Sequence, residues 1–246
     1  MSKQGRELNR IQKAAAIRAE QERKERNRRV GLVAGIVVLL GAIVAGGAWY
    51  SSGGSTTPPP SAADAPVAAS TTALKVGKSD APVKVVIYED FQCPYCRELE
   101  NSTRTFLREN AAKGKVLVEY QPINLLAAMP YSAKALNAWT SVLQNGTPKA
   151  ALKLHDLLYD HQPYEKDSAS VTDAQIAGWV TEAGGDGAAA RDAMKNPDGV
   201  LLGVLRNLMA SQGIQGTPTV VVNDKELTAS SMSDMAKQIE TAVDNG

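Results

Sequence analysis

The chain has 246 residues with 27 basic and 26 acidic side chains, so its formal net charge is +1. This balance hides an asymmetry, because residues 1–29 carry ten Lys or Arg against four Glu and the remainder is net acidic. A basic surface for nucleic acid is therefore not indicated, and we expect no nucleic-acid partner. With only two cysteines, Cys93 and Cys96, a multi-disulfide framework and a four-cysteine metal site are excluded.

An uncharged apolar run covers residues 30–50 and contains no proline. About 20 apolar residues are needed to cross the roughly 30 Å of hydrocarbon in a bilayer, so the run predicts a single transmembrane helix. The basic segment 1–29 is then expected in the cytoplasm, and Trp49 and Tyr50 lie where interfacial aromatic residues are common. The alternative is a cleaved signal peptide, whose apolar core is typically only about 7–15 residues long.

Residues 51–73 are rich in Ser, Thr, Pro, Gly and Ala and poor in bulky apolar side chains. Such a segment cannot bury enough apolar surface to fold, so it predicts a flexible linker. The expected location is thus the cell membrane, with a single pass, a cytoplasmic N-terminus and an extracytoplasmic domain over residues 74–246.

The elements of that domain follow from hydrophobic pattern and from the helix-ending glycines and prolines. The sequence predicts a strand at 83–88, a helix at 94–112, a strand at 115–123, helices throughout about 130–212, a strand at 217–223, a turn at Asp224–Lys225, a short strand at 226–228 and a final helix. The order β–α–β, helical block, β–β–α predicts an α/β domain in which a mixed sheet carries an inserted helical domain.

Cys93 and Cys96 form a CPYC motif between the first strand and the first helix. At a helix N-terminus the unpaired N–H groups and the helix dipole lower a thiol pKa, so we expect Cys93 to be an exposed nucleophile. Cys96, one turn further on, is placed to resolve a mixed disulfide. A structural zinc site needs four ligands, and His155 and His161 are interpreted as ordinary polar surface groups. A disulfide across so short a loop also stabilises little, which leaves redox chemistry.

A second motif, GTPTVVVN, places Thr217 and Pro218 directly before a strand. A cis peptide bond would explain this position, because cis prolines occur in tight turns, whereas trans is the default for any X–Pro bond.

CPYC after a strand, a long helical insertion and TPT before a hairpin together resemble the DsbA-like thiol–disulfide oxidoreductases of the thioredoxin superfamily. The membrane-anchored layout is similar to members from Gram-positive bacteria, particularly actinobacteria. The resemblance implies a thioredoxin fold with an inserted helical domain and a cis Pro218 against the Cys93–Cys96 disulfide. It also implies that Thr217 offers backbone hydrogen bonds to a substrate peptide. The redox-active disulfide is then the reacting group, with no further cofactor and no metal.

By this resemblance the protein is expected to pass disulfides to exported proteins and to be reoxidised by a membrane quinone-linked thiol oxidase. Two alternatives remain open at this point. The same cysteines are also suited to a disulfide reductase or isomerase, and the helical block to a noncatalytic module that binds exported clients.

One departure from the best-known oxidases is that Pro94 and Tyr95, rather than Pro and His, separate the cysteines. Tyrosine cannot supply the imidazolium charge that further stabilises a thiolate, so the direction of catalysis stays open. Glu89 and Asp90, just before the motif, are candidates for a proton relay. The alternative is that both are solvated residues at the end of the strand.

Overall fold

The computed structural model describes residues 61–246. The basic segment 1–29, the apolar run 30–50 and residues 51–60 of the predicted linker lie outside this range. Within residues 61–246, none of the helices combines the length and the apolar character needed to span a bilayer. The cytoplasmic segment and the transmembrane helix therefore stay predictions.

Six strands form one mixed sheet, in the order β1-β2-β4-β3-β5-β6. Their bounds are Val67–Ala69 for β1, Leu74–Val76 for β2, Val83–Glu89 for β3, Val116–Pro122 for β4, Thr219–Val222 for β5 and Lys225–Glu226 for β6. Strands β3 and β4 are parallel, and every other neighbouring pair is antiparallel. The two parallel strands lie at the centre, which explains why most of their residues are buried.

Seven α-helices accompany the sheet in residues 61–246. They are α1 at Pro94–Ala112, α2 at Pro130–Asn145, α3 at Pro148–Asp160, α4 at Asp173–Ala183, α5 at Gly187–Lys195, α6 at Gly199–Ser211 and α7 at Met232–Asp244. Helix α1 connects the parallel strands β3 and β4, and helices α2 to α6 lie between β4 and β5 in the chain. The predicted β–α–β, helical block, β–β–α order is confirmed, and α1 has the bounds that were predicted for it.

The helix ends follow local sequence rules. Proline occupies the first turn of α1, α2 and α3, where its missing N–H has no partner to lose. Thr172 and Gln175 form a reciprocal capping box at the start of α4. Gly114, just after α1, adopts a positive φ of 77°, a conformation that glycine reaches without steric cost.

The N-terminal edge of the domain differs from the prediction. Within the predicted linker 51–73, residues 62–64 form a turn of 3-10 helix, and β1 pairs with β2 in the sheet. The folded domain thus begins before Leu74. Short strands of mixed composition carry little pattern of their own, and their position depends on pairing with β4 through β2.

The hairpin near the C-terminus is shifted by one residue from the predicted position. Asn223 and Asp224 both have positive φ, 48° and 64°, and Val222 pairs with Lys225. The turn therefore lies at 223–224 rather than 224–225, because a two-residue hairpin turn of this kind favours Asn and Asp at positive φ. The short strand that follows is 225–226 rather than 226–228.

Packing brings the helical block to the redox motif. Helix α3 contacts β1, β2 and α1, while α7 packs against α1 and β3. The end of β3 and the N-terminus of α1 meet at Asp90–Cys93, so this loop lies between the sheet and the inserted helices.

Candidate active site

Cys93 is the N-cap residue of α1, with extended backbone angles of φ −70° and ψ 120°. Its N–H donates to the Asp90 carbonyl at 2.9 Å, and its own carbonyl accepts from the Arg97 N–H at 3.3 Å. Cys96 follows within the first turn, and both cysteines are free thiols. The predicted placement of the pair at a helix N-terminus is therefore confirmed.

Contrary to the prediction of an exposed nucleophile, Cys93 is buried, since only 5% of its surface is accessible, against 2% for Cys96. The reason is the loop before β5, which lies against the Cys93 sulfur. The Cys93 thiol donates a hydrogen bond to the Thr217 carbonyl oxygen at 3.2 Å. Strand β5 pairs antiparallel with β3, with Thr219 opposite Tyr88, and so brings this loop to the end of β3.

The Thr217–Pro218 peptide bond is cis, as the resemblance implied. The two motifs that the sequence separates by more than a hundred residues are thus adjacent, since the residue before the proline contacts the first cysteine directly.

Hydrogen bonds favour the thiolate of Cys93. The pKa of Cys93 is lowered chiefly by a hydrogen bond from the Cys96 thiol, against the raising effect of burial. Further hydrogen bonds from the Thr217 side chain and from the Cys96 and Tyr95 backbone amides bring this pKa to about 6. The bond from the Cys93 thiol to the Thr217 carbonyl favours the protonated form, but the donors aimed at the sulfur outweigh it.

Cys96 behaves in the opposite way. Burial raises the pKa of Cys96 well above its usual value, and the hydrogen bond and charge of Cys93 raise it further. The site therefore holds Cys93 as a thiolate and Cys96 as a thiol near neutral pH, so Cys93 is both the nucleophile of the reduced pair and the better leaving group.

Pro94 and Tyr95, the residues between the cysteines, are both exposed. The Tyr95 side chain is 60% accessible, which is unusual for a large aromatic residue. It therefore forms part of the protein surface between the two cysteines.

Glu89 and Asp90 are 1% and 0% exposed, so the alternative that they are solvated strand-end residues is wrong. The carboxylate of Asp90 accepts hydrogen bonds from the Gln92 N–H at 2.8 Å, the Leu126 N–H at 2.9 Å and the Ser132 hydroxyl at 2.8 Å. Burial raises the pKa of Asp90, and these bonds oppose the rise. Asp90 thus anchors the loop before Cys93.

Glu89 has a different partner. A carboxylate oxygen of Glu89 lies 2.6 Å from Nε2 of His155, a fully buried residue of α3. The interpretation of His155 as a polar surface group is therefore wrong. His161 is exposed as expected, and its ring stacks on Trp179 at a centroid distance of 4.6 Å.

A proton on His155 makes its contact with Glu89 an ion pair. Burial alone would lower the pKa of His155, but the charges of Glu89 and Glu100, the hydrogen bond to Glu89 and the nearby Asp156 carboxylate raise it to about 10. Burial also raises the pKa of Glu89, while His155 opposes that rise. We take His155 to hold the proton at neutral pH, because several carboxylates surround the ring.

These carboxylates belong to an ion cluster, which we define as Glu89, Glu100, Arg104, Arg108, His155 and Asp156. Arg104 Nε donates to Glu100 at 2.9 Å, and Arg108 donates two hydrogen bonds to Asp156. His155 Nδ1 lies 3.6 Å from Asp156 and 3.7 Å from Glu100. With His155 protonated, positive and negative charges in the cluster balance.

The cluster also reaches solvent, since Arg104 Nη1 donates to the half-exposed Asp160 at 3.0 Å. Glu100, His155 and Asp156 bring ligand atoms to within 4.8 Å of one another, as a metal site would. The two guanidinium groups already neutralise these carboxylates, so the arrangement favours internal ion pairs over a bound cation.

The segment after α3 contributes another residue that sequence reasoning missed. Gln162 is 6% exposed, and its Nε2 donates to the carbonyl oxygens of Phe91 at 2.8 Å and Cys93 at 2.9 Å. Its position depends on tertiary packing, and the sequence carries no signal for it. His155 did carry one, because Ala151, Leu158 and Tyr159, at helical spacing from it, predict a core-facing stripe.

Comparison with known proteins agrees with this geometry. A family model described as thioredoxin matches residues 69–241. Oxidised BdbD from Bacillus subtilis superposes with a TM-score of 0.60 at 23% identity, covering 76% of this chain and 96% of that one. At this identity the likeness concerns the fold.

Two mycobacterial structures are somewhat closer in sequence. Reduced DsbG from Mycobacterium tuberculosis, named a disulfide bond oxidoreductase, has 26% identity and a TM-score of 0.57, covering 69% of this chain and 86% of that one. Oxidised DsbA from the same organism has 26% identity and a TM-score of 0.55, covering 73% and 93%.

A curated relative, the Na(+)/H(+) antiporter NhaA 3 of Salinispora tropica, is 35% identical over 86 residues, which are 35% of this chain. The match spans 12% of the antiporter's length. The family model, by contrast, covers most of the present chain, and the domain it describes contains the CPYC motif and the cis-proline loop. The chain therefore belongs to the thioredoxin family, on its DsbA-like thiol–disulfide oxidoreductase branch.

Proposed function

We propose that this thiol–disulfide oxidoreductase works outside the cytoplasm as an oxidase that introduces disulfides into exported proteins through Cys93 and Cys96. The observation that carries the proposal is the difference between the two sulfurs. The pKa of Cys93 is lowered to about 6, whereas the pKa of the buried Cys96 is raised.

The exchange proceeds from the oxidised enzyme. A substrate thiolate attacks the Cys93 sulfur, forming a substrate–Cys93 disulfide and breaking the Cys93–Cys96 bond. Cys96 departs as a thiolate and takes up a proton. A second substrate thiolate then attacks the substrate sulfur of the mixed disulfide. The substrate is oxidised by two electrons, and Cys93 leaves as a thiolate with Cys96 as a thiol.

The oxidative direction rests on the stability of the reduced site. A low nucleophile pKa stabilises the reduced form and makes its disulfide a stronger oxidant, and the series from thioredoxin, at a pKa of about 7, to DsbA, at about 3.5, follows this rule. A Cys93 pKa of about 6 lies between the two. Tyr95, which brings no charge, is consistent with an intermediate potential.

Glu89 is the proposed proton relay for Cys96, because it ends β3 beside the redox loop and its charge acts on Cys96. When the disulfide opens, the proton held on His155 would pass through the Glu89 carboxylate to Cys96, and it would return to the pair when the disulfide reforms. Asp90, the other candidate for the proton relay, is less suited to this role, since the hydrogen bonds of its carboxylate anchor the loop.

The remaining parts of the proposal concern location and partners. The apolar run 30–50 would anchor the protein in the cell membrane, with segment 1–29 in the cytoplasm and the domain outside, where disulfides persist. Reduced exported proteins would be the substrates, and a membrane quinone-linked thiol oxidase would restore the disulfide. Thr217 would pair with the substrate backbone next to Pro218.

A trapping experiment tests the proposal. In Cys96→Ala, Cys93 forms mixed disulfides that the enzyme cannot resolve, so exported proteins should accumulate on it in cells, whereas Cys93→Ala should trap none. The reduction potential of the wild type is expected to be clearly less negative than about −270 mV, the value of thioredoxin. An absence of trapped exported proteins, or a potential at or below that of thioredoxin, would overturn the oxidase role in favour of reduction or isomerisation.

A further inference from the structure

The segment directly after α3 is hydrogen-bonded to the redox loop, residues 90–93, and to the first turns of α1. Side chains of both partners take part. Gln162 donates to the Phe91 and Cys93 carbonyls, as described above. In return, the Gln92 side chain donates to the Pro163 carbonyl at 3.1 Å, and Arg97 Nη1 donates to the Gln162 carbonyl at 3.1 Å. The inserted helical domain is thus part of the wall of the redox site.

The Gln162 side chain differs from those of Gln92 and Arg97 in the group that it contacts. Its amide group bonds the carbonyl of Cys93 itself, the residue whose sulfur reacts, whereas Gln92 only ties the loop to Pro163. The direction of the Cys93 carbonyl is set by the ψ angle of Cys93. The same angle sets the direction in which the following backbone amides of α1 point relative to the Cys93 side chain. These are the amides of Tyr95 and Cys96 that hydrogen-bond the Cys93 sulfur.

The hydrogen bond to the Phe91 carbonyl also indicates that Gln162 fixes the backbone of the redox loop. Phe91 is fully buried, and its carbonyl needs a donor within the protein because water is excluded. One carboxamide nitrogen therefore satisfies two carbonyls on either side of Gln92, which fixes the path of the backbone through the loop.

We propose that Gln162 is a positioning residue for disulfide exchange, which holds the Phe91 and Cys93 carbonyls so that the Cys93 sulfur meets the amides at the start of α1. The helical insertion thereby sets the redox strength of the cysteines. This inference rests on the proposed thiol–disulfide exchange at Cys93.

The test compares Gln162→Met, which keeps the length of the side chain but cannot donate, with Gln92→Met and with Gln144→Met on an exposed part of α2. The measurements are the pH titration of the Cys93 thiolate by ultraviolet absorbance and the equilibrium with glutathione. Gln162→Met should raise the pKa of Cys93 and weaken the oxidising equilibrium about fivefold, the effect of one net hydrogen bond, or roughly 20 mV.

Gln144→Met should match the wild type, and Gln92→Met should lower the melting temperature with a smaller shift of the Cys93 titration. If Gln162→Met fails to fold, Gln162→Asn, which retains a shorter amide, takes its place and should shift both readouts in the same direction. Wild-type values in the folded Gln162 variant, or equal shifts in Gln92→Met, would overturn the inference. A wild type that exchanges no disulfide with glutathione would instead contradict the proposed function.

Discussion

Nε2 of His155 lies 2.6 Å from a carboxylate oxygen of Glu89, and the two residues are only 0% and 1% exposed. The pair joins a helix of the inserted domain to the end of the strand that leads to the cysteines. It links the helical block to the redox site through a charge interaction as well as through packing.

Replacement of His155 by alanine should strongly destabilise the domain. The change leaves Glu89 buried without its partner and unbalances the ion cluster, and loss of one member of a buried ion pair typically costs about 3–5 kcal/mol. The free energy of unfolding from denaturant titration measures this loss. His161→Ala is the matched control, because His161 is exposed and stacks on Trp179, a contact worth about 1 kcal/mol. Equal losses in the two variants would contradict a structural role for the buried pair.

Replacement of Glu89 by glutamine should slow the steps in which Cys96 gains or loses its proton. General acid–base catalysis contributes at least about a hundredfold, so a decrease of that order is expected in the rate at which Cys96 resolves a mixed disulfide. Loss of the Glu89 charge by itself would ease ionisation of Cys96 and speed this step, so a slower rate is diagnostic.

Stopped-flow measurement of a single turnover provides the rate for Glu89→Gln. Glu98→Gln, an exposed position of α1, is the control and should retain the wild-type rate. An unchanged rate in Glu89→Gln would remove Glu89 from the proton pathway.

The parts of this molecule that the sequence predicts well are those with local signals. The sequence predicts helix α1 from Pro94 to Ala112, because a proline in the first turn and Gly114 after the end are both visible in the chain. The sequence places strand β1 in the linker, since its three residues become a strand only by pairing with β2.

The same distinction holds at the active site. Sequence motifs predict Cys93, Cys96 and the TPT loop, but the burial of Cys93 and the partners of Glu89 depend on contacts between distant segments. Gln162 illustrates the limit, because a glutamine after a helix is unremarkable until the fold places it 2.9 Å from the Cys93 carbonyl.

The thiolate of Cys93 should titrate near pH 6 in the reduced protein. Its pKa is lowered by hydrogen bonds from Cys96, Thr217 and the first amides of α1. The change in thiolate absorbance between about pH 4 and 8 measures the midpoint, because an ordinary thiol, with a pKa of about 8.5, stays mostly protonated in this window. Cys93→Ser should abolish this change in absorbance. A midpoint at or above about 8 would mean that these donors do not stabilise the thiolate.

The stability of the reduced form should depend on pH in a way that the oxidised form does not. The pKa of Cys93 is about 6 when folded, against about 8.5 when unfolded, so the folded state binds fewer protons between these values. The stabilisation is present above about pH 8.5 and is lost as the pH falls through 6.

Reduced protein should therefore gain about 2–3 kcal/mol relative to oxidised protein between pH 5 and 8. Unfolding curves of both forms across this window provide the test. At higher pH, Cys96 acts in the opposite direction, because its raised pKa disfavours its ionisation in the folded state. Parallel curves for the two redox forms would contradict the lowered pKa of Cys93.

Replacement of Tyr95 by histidine should make the protein a stronger oxidant. Tyr95 is 60% exposed, so the change should leave the core intact. An imidazolium beside Cys93 favours its thiolate, and one pKa unit of added stabilisation corresponds to about a tenfold shift toward the reduced enzyme, or roughly 30 mV. The effect should be largest below the histidine pKa of about 6.5 and should fade above it, because neutral imidazole brings no charge.

The glutathione equilibrium measured at pH 6 and pH 8, on either side of that histidine pKa of about 6.5, separates this charge effect from a steric one. Tyr164→His is the matched control, since Tyr164 is 71% exposed but does not lie between the cysteines. If Tyr95→His leaves the equilibrium unchanged at pH 6, the charge at this position does not set the redox strength of the site. The hydrogen bonds from α1 and the cis-proline loop would then account for it without help from the residues between the cysteines.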